Sequence, residues 1–97
     1  MEKFELYNLL ATEDNEYGTA LASEIRWQSD DSLLVWISYL WIEEFMDELV
    51  KLFGTEIFDY GGFDGNFQNE YVCIDLNKAI GFAADLEEIF PKDKYSF

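Results

Sequence analysis

The longest apolar run in this chain is LLVWISYLWI at residues 33–42, which is interrupted by one small polar residue, Ser38. A helix that crosses a membrane needs about 20 apolar residues, so this run is too short to span a bilayer. It is also too apolar to lie on the surface of a protein. We therefore expect it to be buried in a core, with the rest of the chain folded around it.

The rest of the chain is strongly acidic. Its 97 residues include 21 Asp or Glu and 6 Lys or Arg, which gives a net charge of −15 at pH 7. Hydrophobic residues make up 49% of the chain and aromatic residues 19%, and this apolar content distinguishes it from a disordered acidic tail. Because the chain is too short for two separate cores, residues 1–97 are predicted to form a single acidic domain.

The charge and the missing residue types exclude several functions. Direct binding to nucleic acid needs a basic surface, and anionic membranes repel an acidic one. The absence of His excludes a Ser-His-Asp triad and a His-containing zinc site. The single cysteine, Cys73, excludes an internal disulfide, and we expect it to be a small, buried and unreactive side chain. One cysteine and no signal-peptide pattern predict a cytoplasmic protein.

Alternating patterns predict two pairs of strands. Residues 3–11 and 19–28 predict the first hairpin, although a helix would also fit residues 3–11. Residues 56–60 and 69–76 predict the second pair, joined by the turn-rich segment GGFDGNFQ.

The remaining segments favour helices. Residues 33–53 predict one long helix, with candidate N-caps in residues 29–32 and a C-terminal end at Gly54. The β-branched and aromatic residues of its first half also suit a buried strand, and the sequence leaves this alternative open. Two further short elements are predicted near the C-terminus, a helix from Asn77 to Ala84 and a turn that begins at Asp85 and stops at Pro91.

The resulting order, β-β-α-β-β-α, predicts an α+β domain. Its sheet would be small and antiparallel, with three to four strands and with helices packed on one face.

Two kinds of catalytic or metal site are weighed and rejected. Glycoside hydrolysis needs two carboxylates at a set distance, but among 21 carboxylates some pair meets that distance by chance, so we predict no enzyme. The spacing Asp64, Asn66, Gln68 and Asp75 resembles a calcium loop, but Asn69 replaces the required Gly. We therefore predict no metal site and no cofactor.

The aromatic residues around the glycine-rich turn allow two interpretations. They either cover one end of the core or serve as exposed anchors for a protein partner. They are Phe58, Tyr60, Phe63 and Phe67.

The acidic residues form clusters that lack basic neighbours. On the predicted helix, Glu43 and Asp47, and likewise Glu44 and Glu48, are like-charge pairs four residues apart, which cost helix stability. A net charge of about 2–8 suffices for the solubility of a small domain, so solubility or halophilic adaptation is the less specific explanation. The candidate partner-binding residues are Glu13, Asp14, Glu16, Asp30, Asp31, Glu43, Glu44, Asp47, Glu48, Asp59, Asp64 and Glu70.

A basic partner explains such a surface more specifically. Carboxylates four residues apart on a helix are separated by about 6 Å along its axis, and phosphates are spaced at about 3.4 Å per DNA strand. A row of carboxylates can therefore occupy lysine and arginine sites that bind phosphates, and steering by charge speeds its association. We interpret the chain as a DNA mimic.

Small size, extreme acidity, an apolar core and the lack of a catalytic motif resemble phage-encoded DNA mimics, which include antirestriction proteins and acidic anti-CRISPR proteins. The segment FELYNLLATEDNEYGTALASEIRW, followed by an apolar and acidic helix, looks like the β-β-α opening of ArdA-type antirestriction domains. The length and the acidic loops look more like a type I (I-F) anti-CRISPR inhibitor.

The resemblance implies a protein of the bacterial host cell that occupies the duplex- or PAM-reading cleft of a CRISPR surveillance complex, without cofactor or turnover. An immunity protein that caps a nuclease toxin is the main alternative, and a structural subunit of a phage or host assembly is the weaker one.

Overall fold

The computed structural model describes residues 3–63 and 69–96. In chain order its helices and strands are α1 (Lys3–Ala11), β1 (Ala22–Ser29), β2 (Ser32–Ser38), α2 (Ile42–Leu52), β3 (Phe58–Phe63), β4 (Asn69–Asp75), α3 (Ala83–Ile89) and α4 (Lys92–Tyr95). Short 3₁₀ turns at Thr55–Ile57 and Ile80–Phe82 precede β3 and α3. Within the described ranges, none of the helices has the length and apolar content needed to cross a bilayer.

The strands form one antiparallel sheet in the order β1-β2-β4-β3. Side chains alternate between the two faces of a sheet, so Leu33, Val35 and Ile37 of β2 share one face, and the register sets Val72 and Ile74 of β4 beside them. All five are fully buried. The helices complete this core with Leu6, Leu9, Leu10, Phe45, Leu49, Leu86 and Ile89. The predicted fold class, an α+β domain with a small antiparallel sheet and helices on one face, is confirmed.

The opposite face of the sheet is covered by its own side chains. Trp36 is 9% exposed, because its ring packs 5.7 Å from the ring of Tyr71 and the Arg26 guanidinium lies 4.7 Å from its centre. The ring of Tyr71 in turn lies over Gly61, where an added Cβ would approach it to 2.0 Å. Cys73 lies on this face and is half-buried rather than buried, and desolvation raises the pKa of its thiol.

The prediction of a strand at residues 3–11 is wrong, because this segment forms helix α1. Its fully or largely buried residues are Leu6, Leu9 and Leu10. Their spacings of three and four residues put them on one side of a helix, whereas Phe4, which contributed to the apparent alternation, is 54% exposed.

The first hairpin is formed by β1 and β2. The strand expected at residues 19–28 is present, but it pairs with residues 32–38 and not with residues 3–11. Residues 29–32, expected to cap a helix, instead close this hairpin, with Asp30 and Asp31 between the strands. The single helix predicted for residues 33–53 is therefore wrong in its first half, where the strand alternative is confirmed.

The second half of that segment does form a helix, α2, which ends before Gly54 as expected. Gly54 has a φ of 94°, a backbone conformation that glycine adopts readily, and its N–H donates to the Val50 carbonyl at 3.1 Å. The strands expected at residues 56–60 and 69–76 are present as β3 and β4. Strand β3 begins after the 3₁₀ turn and continues through Phe63, so residues 61–63 of the predicted turn belong to the strand.

The C-terminal helices differ from the prediction in where they begin. Asn77 does not start a helix, because it lies in a turn in which the Asp75 carbonyl accepts from the N–H groups of Lys78 and Ala79 at 3.0 Å. Its side chain donates to Asp31 at 2.7 Å. Asp85 lies inside the first turn of α3 and does not precede a separate turn. Helix α3 ends at Ile89, before Pro91, as expected.

Candidate partner-binding surface

Several acidic segments meet at one end of the sheet. The register pairs Ala22 with Ile37 and Ser38 with Asn69, so the start of β1, the end of β2 and the start of β4 lie together. The loop from α1 enters the sheet there, and the chain leaves it there to form α2. We call this region the α2 end; its candidate residues are Glu13, Asp14, Glu16, Glu43, Glu44, Asp47, Glu48 and Glu70.

Helix α2 presents its carboxylates in two rows. Residues four apart lie on the same side of a helix, so Glu43 lies with Asp47 and Glu44 lies with Glu48. The first row is exposed and the second is half-buried. Phe45 is fully buried beneath them, which fixes the orientation of both rows. The positive end of the helix dipole favours the two carboxylates of the first turn.

The first row borders a groove between α2 and strands β3 and β4. The groove has a volume of about 430 Å³, and we call it the Glu70 groove; it is lined by Ile42, Glu43, Met46, Asp47, Tyr60 and Glu70.

Glu70 is the buried charged side chain of this groove, with 8% of its surface exposed. Strand β4 places it on the core face of the sheet, beside Ile37. Tyr60, which is 50% exposed, donates a hydrogen bond from its hydroxyl to Oε1 of Glu70. This hydrogen bond raises the pKa of Tyr60. The groove therefore contains an acidic group at its buried side and an aromatic ring at its rim.

The second row faces the loop between α1 and β1. Tyr17 of this loop donates from its hydroxyl to Oε1 of Glu48 at 3.3 Å, and its ring packs edge-on against Trp41 at 5.6 Å. Burial, together with the negative charges of Glu16 and Glu48, raises the pKa of Tyr17 to about 12. A second depression, of about 370 Å³, lies here, with Glu5, Asp14, Glu16 and Glu48 among its lining residues.

Asn15 holds this acidic loop in one conformation. Its Nδ2 donates to the carbonyl oxygens of Asn8 at 2.9 Å and Thr19 at 2.8 Å, and its Oδ1 accepts from the Tyr17 N–H at 2.8 Å. These bonds connect the two ends of the loop, so Glu13, Asp14 and Glu16 are carried by a structured segment.

The α2 end has little internal compensation for its charge. Among the described residues, one ion pair involves the acids of this end, and it joins Lys51 and Glu48 at 3.6 Å. The Lys51 side chain is 70% exposed, and exposed pairs of this kind contribute little. The surface therefore presents negative charge to solvent from the α1–β1 loop and from α2, whereas Glu70 of β4 adds a buried carboxylate in the groove.

The candidate residues Asp30 and Asp31 lie at the other end of the sheet, which we call the hairpin end. The seven residues of β2 separate the two ends by roughly 20 Å. Nζ of Lys92 lies 3.8 Å from Asp30 and 3.1 Å from Glu87, and 5.0 Å from the centre of the Trp27 ring.

Asp31 accepts hydrogen bonds from Ser29 at 2.8 Å and from Asn77 at 2.7 Å. These bonds hold the pKa of the Asp31 carboxyl below its usual range. The structure thus does not bring the hairpin-end acids together with those of α2.

The other candidates are dispersed. Asp59 is exposed on the sheet face opposite the core, where the register pairs it with Cys73. Phe58 belongs to the core, as the first interpretation expects, and Tyr60 is half exposed, so its role as an anchor stays a prediction. The remaining predictions concern the Phe63 side chain, Asp64, Asn66, Phe67 and Gln68, which lie outside the described residues.

Sequence reasoning included Glu70 as one acid among many and missed its special position. The signal was present in the alternation of β4, because Glu70 precedes Val72 and Ile74 by steps of two residues. A period of two places all three on the same face of the sheet, and that face is the buried one.

Within the described part of the chain, no group of three or more Cys, Asp or Glu side chains is arranged to hold a metal ion. Comparison with protein-family models, with curated proteins and with solved structures finds no match for this chain.

Proposed function

We propose that this protein is a DNA-mimic inhibitor. Its α2 end would occupy the basic duplex- or PAM-reading cleft of a CRISPR surveillance complex and block recognition of target DNA. The observation that carries the proposal is the gathering of carboxylates from the α1–β1 loop and α2 on one surface, beside the groove that contains the buried Glu70. Among the described residues, one ion pair lies on this surface, between Lys51 and Glu48.

The arrangement on α2 suits competition with DNA. Carboxylates of one row are about 6 Å apart along the helix, so several can contact cationic sites in a cleft that binds phosphates. The net charge of −15 would steer the protein toward such a cleft. In this role the protein acts by binding in the host cytoplasm, without catalysis or a cofactor, and without contacting nucleic acid or membrane itself.

A second candidate is an immunity protein that caps a nuclease toxin. Tyr60 favours it, because an exposed aromatic ring beside an acidic groove is a suitable anchor for one specific partner. An antirestriction DNA mimic would use the same α2-end surface on a restriction enzyme.

A competition assay tests the proposal. Purified type I-F surveillance complex is mixed with PAM-containing duplex DNA and increasing amounts of this protein, at salt concentrations from about 50 to 200 mM. We expect loss of DNA binding at low salt and weaker inhibition as salt rises, because screening weakens contacts between exposed charges.

DNA binding that is unaffected at every salt concentration would contradict the proposal. Parallel assays with a restriction enzyme and with nuclease toxins would then distinguish the alternatives. A mimic displaces DNA from its target in a salt-sensitive way, whereas an immunity protein binds one toxin tightly even at high salt.

A further inference from the structure

We propose that the Glu70 groove binds one arginine side chain of the basic partner. This inference rests on the function proposed above, and it adds a defined contact to the attraction between distributed charges.

Glu70 is the observation that points to a ligand. More than nine-tenths of its surface is buried. In the described part of the chain it accepts one hydrogen bond, from Tyr60, and forms no ion pair. A nearby cation stabilises a buried carboxylate, and none of the described ion pairs supplies one to Glu70. A carboxylate in this position can therefore accept a cation from another molecule.

The other lining residues define which cation fits. Glu43 and Asp47 border the groove from α2, so an entering cation meets carboxylates on two sides. The apolar side chains of Ile42 and Met46 lie between them. Arginine and lysine both lay an apolar stem along such a surface while the charged group reaches an acid.

Arginine fits this groove better than lysine. Its planar guanidinium carries five donors and can satisfy more than one carboxylate at once. It is also less strongly hydrated than an ammonium group and stacks on aromatic rings, and Tyr60 supplies such a ring at the rim. No group of carboxylates among the described residues is arranged for a metal ion, which favours an organic cation.

The direct test uses N-acetyl-arginine amide as the probe, so that the side chain carries the only charge. The compound is titrated into the whole protein, and backbone amide shifts are followed by NMR. We expect shifts confined to residues around Met46, Tyr60 and Glu70. The citrulline analogue, which has the same shape without the charge, should give none, and the lysine analogue should give shifts at least about threefold smaller.

Two matched variants remove one negative charge each. In Glu70→Gln the arginine-induced shifts should fall at least about fivefold, whereas in Asp59→Asn, on the opposite face of the sheet, they should be unchanged. Glu70→Gln should leave the fold intact, because the amide oxygen can still accept the hydrogen bond from Tyr60, and thermal unfolding checks this. A loss of arginine binding by a folded Glu70→Gln protein is a result that a purely structural role would not produce.

Three results would overturn the inference: no shift with the arginine compound, shifts spread equally over all acidic segments, or equal binding of lysine and arginine. Failure of the proposed function is recognised separately in the competition assay. In one outcome the wild-type protein displaces DNA while Glu70→Gln and Asp59→Asn weaken inhibition by the same small factor. In that case the groove inference fails and the DNA mimic stands. If Glu70→Gln weakens inhibition by at least about tenfold and Asp59→Asn by less than about twofold, the groove inference and the DNA mimic both stand.

Discussion

The two ends of the sheet are both rich in carboxylates and differ in what surrounds them. At the hairpin end, Lys92 lies between Asp30 and Glu87, and Asn77 and Ser29 donate to Asp31. At the α2 end, the acids of three segments share one exposed lysine among the described residues, Lys51.

This difference separates two uses of the same residue type. A carboxylate that accepts hydrogen bonds inside its own chain stabilises a turn, as Asp31 does at the hairpin end. Exposed carboxylates that lie close together without a cation repel one another and cost stability, and a basic partner outside the chain would relieve that cost. The count of acids in a segment does not distinguish these cases, whereas the identity of their neighbours does.

Reversing the charge of the α2 end should have the largest effect. The quadruple variant Glu43→Lys, Glu44→Lys, Asp47→Lys and Glu48→Lys replaces both rows of α2 with positive charge. We expect it to lose inhibition of DNA binding by at least about 100-fold, because it turns attraction into repulsion at the proposed interface. The competition assay measures this loss, and circular dichroism checks that the fold survives.

A matched variant reverses four exposed acids elsewhere and therefore makes the same change in net charge. Asp30, Asp59, Glu87 and Asp93 lie at the hairpin end, on the opposite sheet face and on the C-terminal helix, and all are exposed. Inhibition within about threefold of wild type would support a localised surface. Equal losses in the two variants would mean that overall charge matters and the α2 end has no special role.

The two lysines provide the next comparison. Lys92→Ala removes two ion pairs and a contact with Trp27, so we expect it to lower the free energy of unfolding by about 1 kcal/mol and the thermal midpoint by about 5 °C. Lys51→Ala removes one exposed pair and should change stability by less than about 0.5 kcal/mol.

Binding should respond in the opposite order. Lys51→Ala makes the α2 end more acidic and should strengthen inhibition by about two- to threefold, whereas Lys92→Ala should leave it unchanged. Thermal unfolding and the competition assay measure the two effects. Stronger inhibition by Lys92→Ala would place the partner at the hairpin end.

The fold was predictable at the level of class, and the errors in its N-terminal half have one physical source. Strand β2 lies between β1 and β4 and is buried on both faces, with Leu33 fully buried on one and Leu34 8% exposed on the other. A strand buried on both faces shows no alternation, so its sequence also fits a buried helix. Assigning residues 33–38 to a helix then removed the true partner of β1 and left residues 3–11 as the apparent one.

The site was predictable as a set of clusters but not as a surface. The acids of α2 are close in sequence and were identified together. The neutralising contacts join residues far apart, since Lys92 and Asp30 are 62 positions apart and Asn77 and Asp31 are 46. Periodicity carries no information about such contacts, because they depend on how the elements pack.

The Tyr17–Glu48 contact offers a smaller test of the α2 end. The pKa of about 12 means that folded Tyr17 keeps its proton more firmly than in the unfolded chain, where the value is about 10. Its contribution to stability is therefore complete below pH 10 and is lost as the pH rises to about 12. Glu48→Gln should lower the pKa of Tyr17 toward 10, because a negative neighbour is removed.

Ultraviolet absorbance of tyrosinate against pH measures this change, and the difference from Tyr17→Phe assigns the signal. Burial is the larger cause of the raised pKa, so Glu48→Gln should reverse the shift in part. A wild-type Tyr17 that titrates near pH 10 would mean that the acidic loop is not packed against α2, and the α2 end would lose one of its three segments.

The smallest effect is expected at Asp31. Hydrogen bonds from Ser29 and then from Asn77 lower its pKa, so its contribution to stability is present above the unfolded value of about 3.9 and is lost as the pH falls through the lower folded value. Asn77→Ala should raise the pKa of Asp31 and move the acid limit of stability to higher pH. An NMR titration of the Asp31 carboxyl carbon measures this pKa in the wild-type protein and in the variant. An unchanged pKa would mean that Asn77 does not hold the Asp31 carboxylate and that the hydrogen bond from Ser29, the larger cause, lowers the pKa alone. The contrast between the two ends would then depend on that one bond.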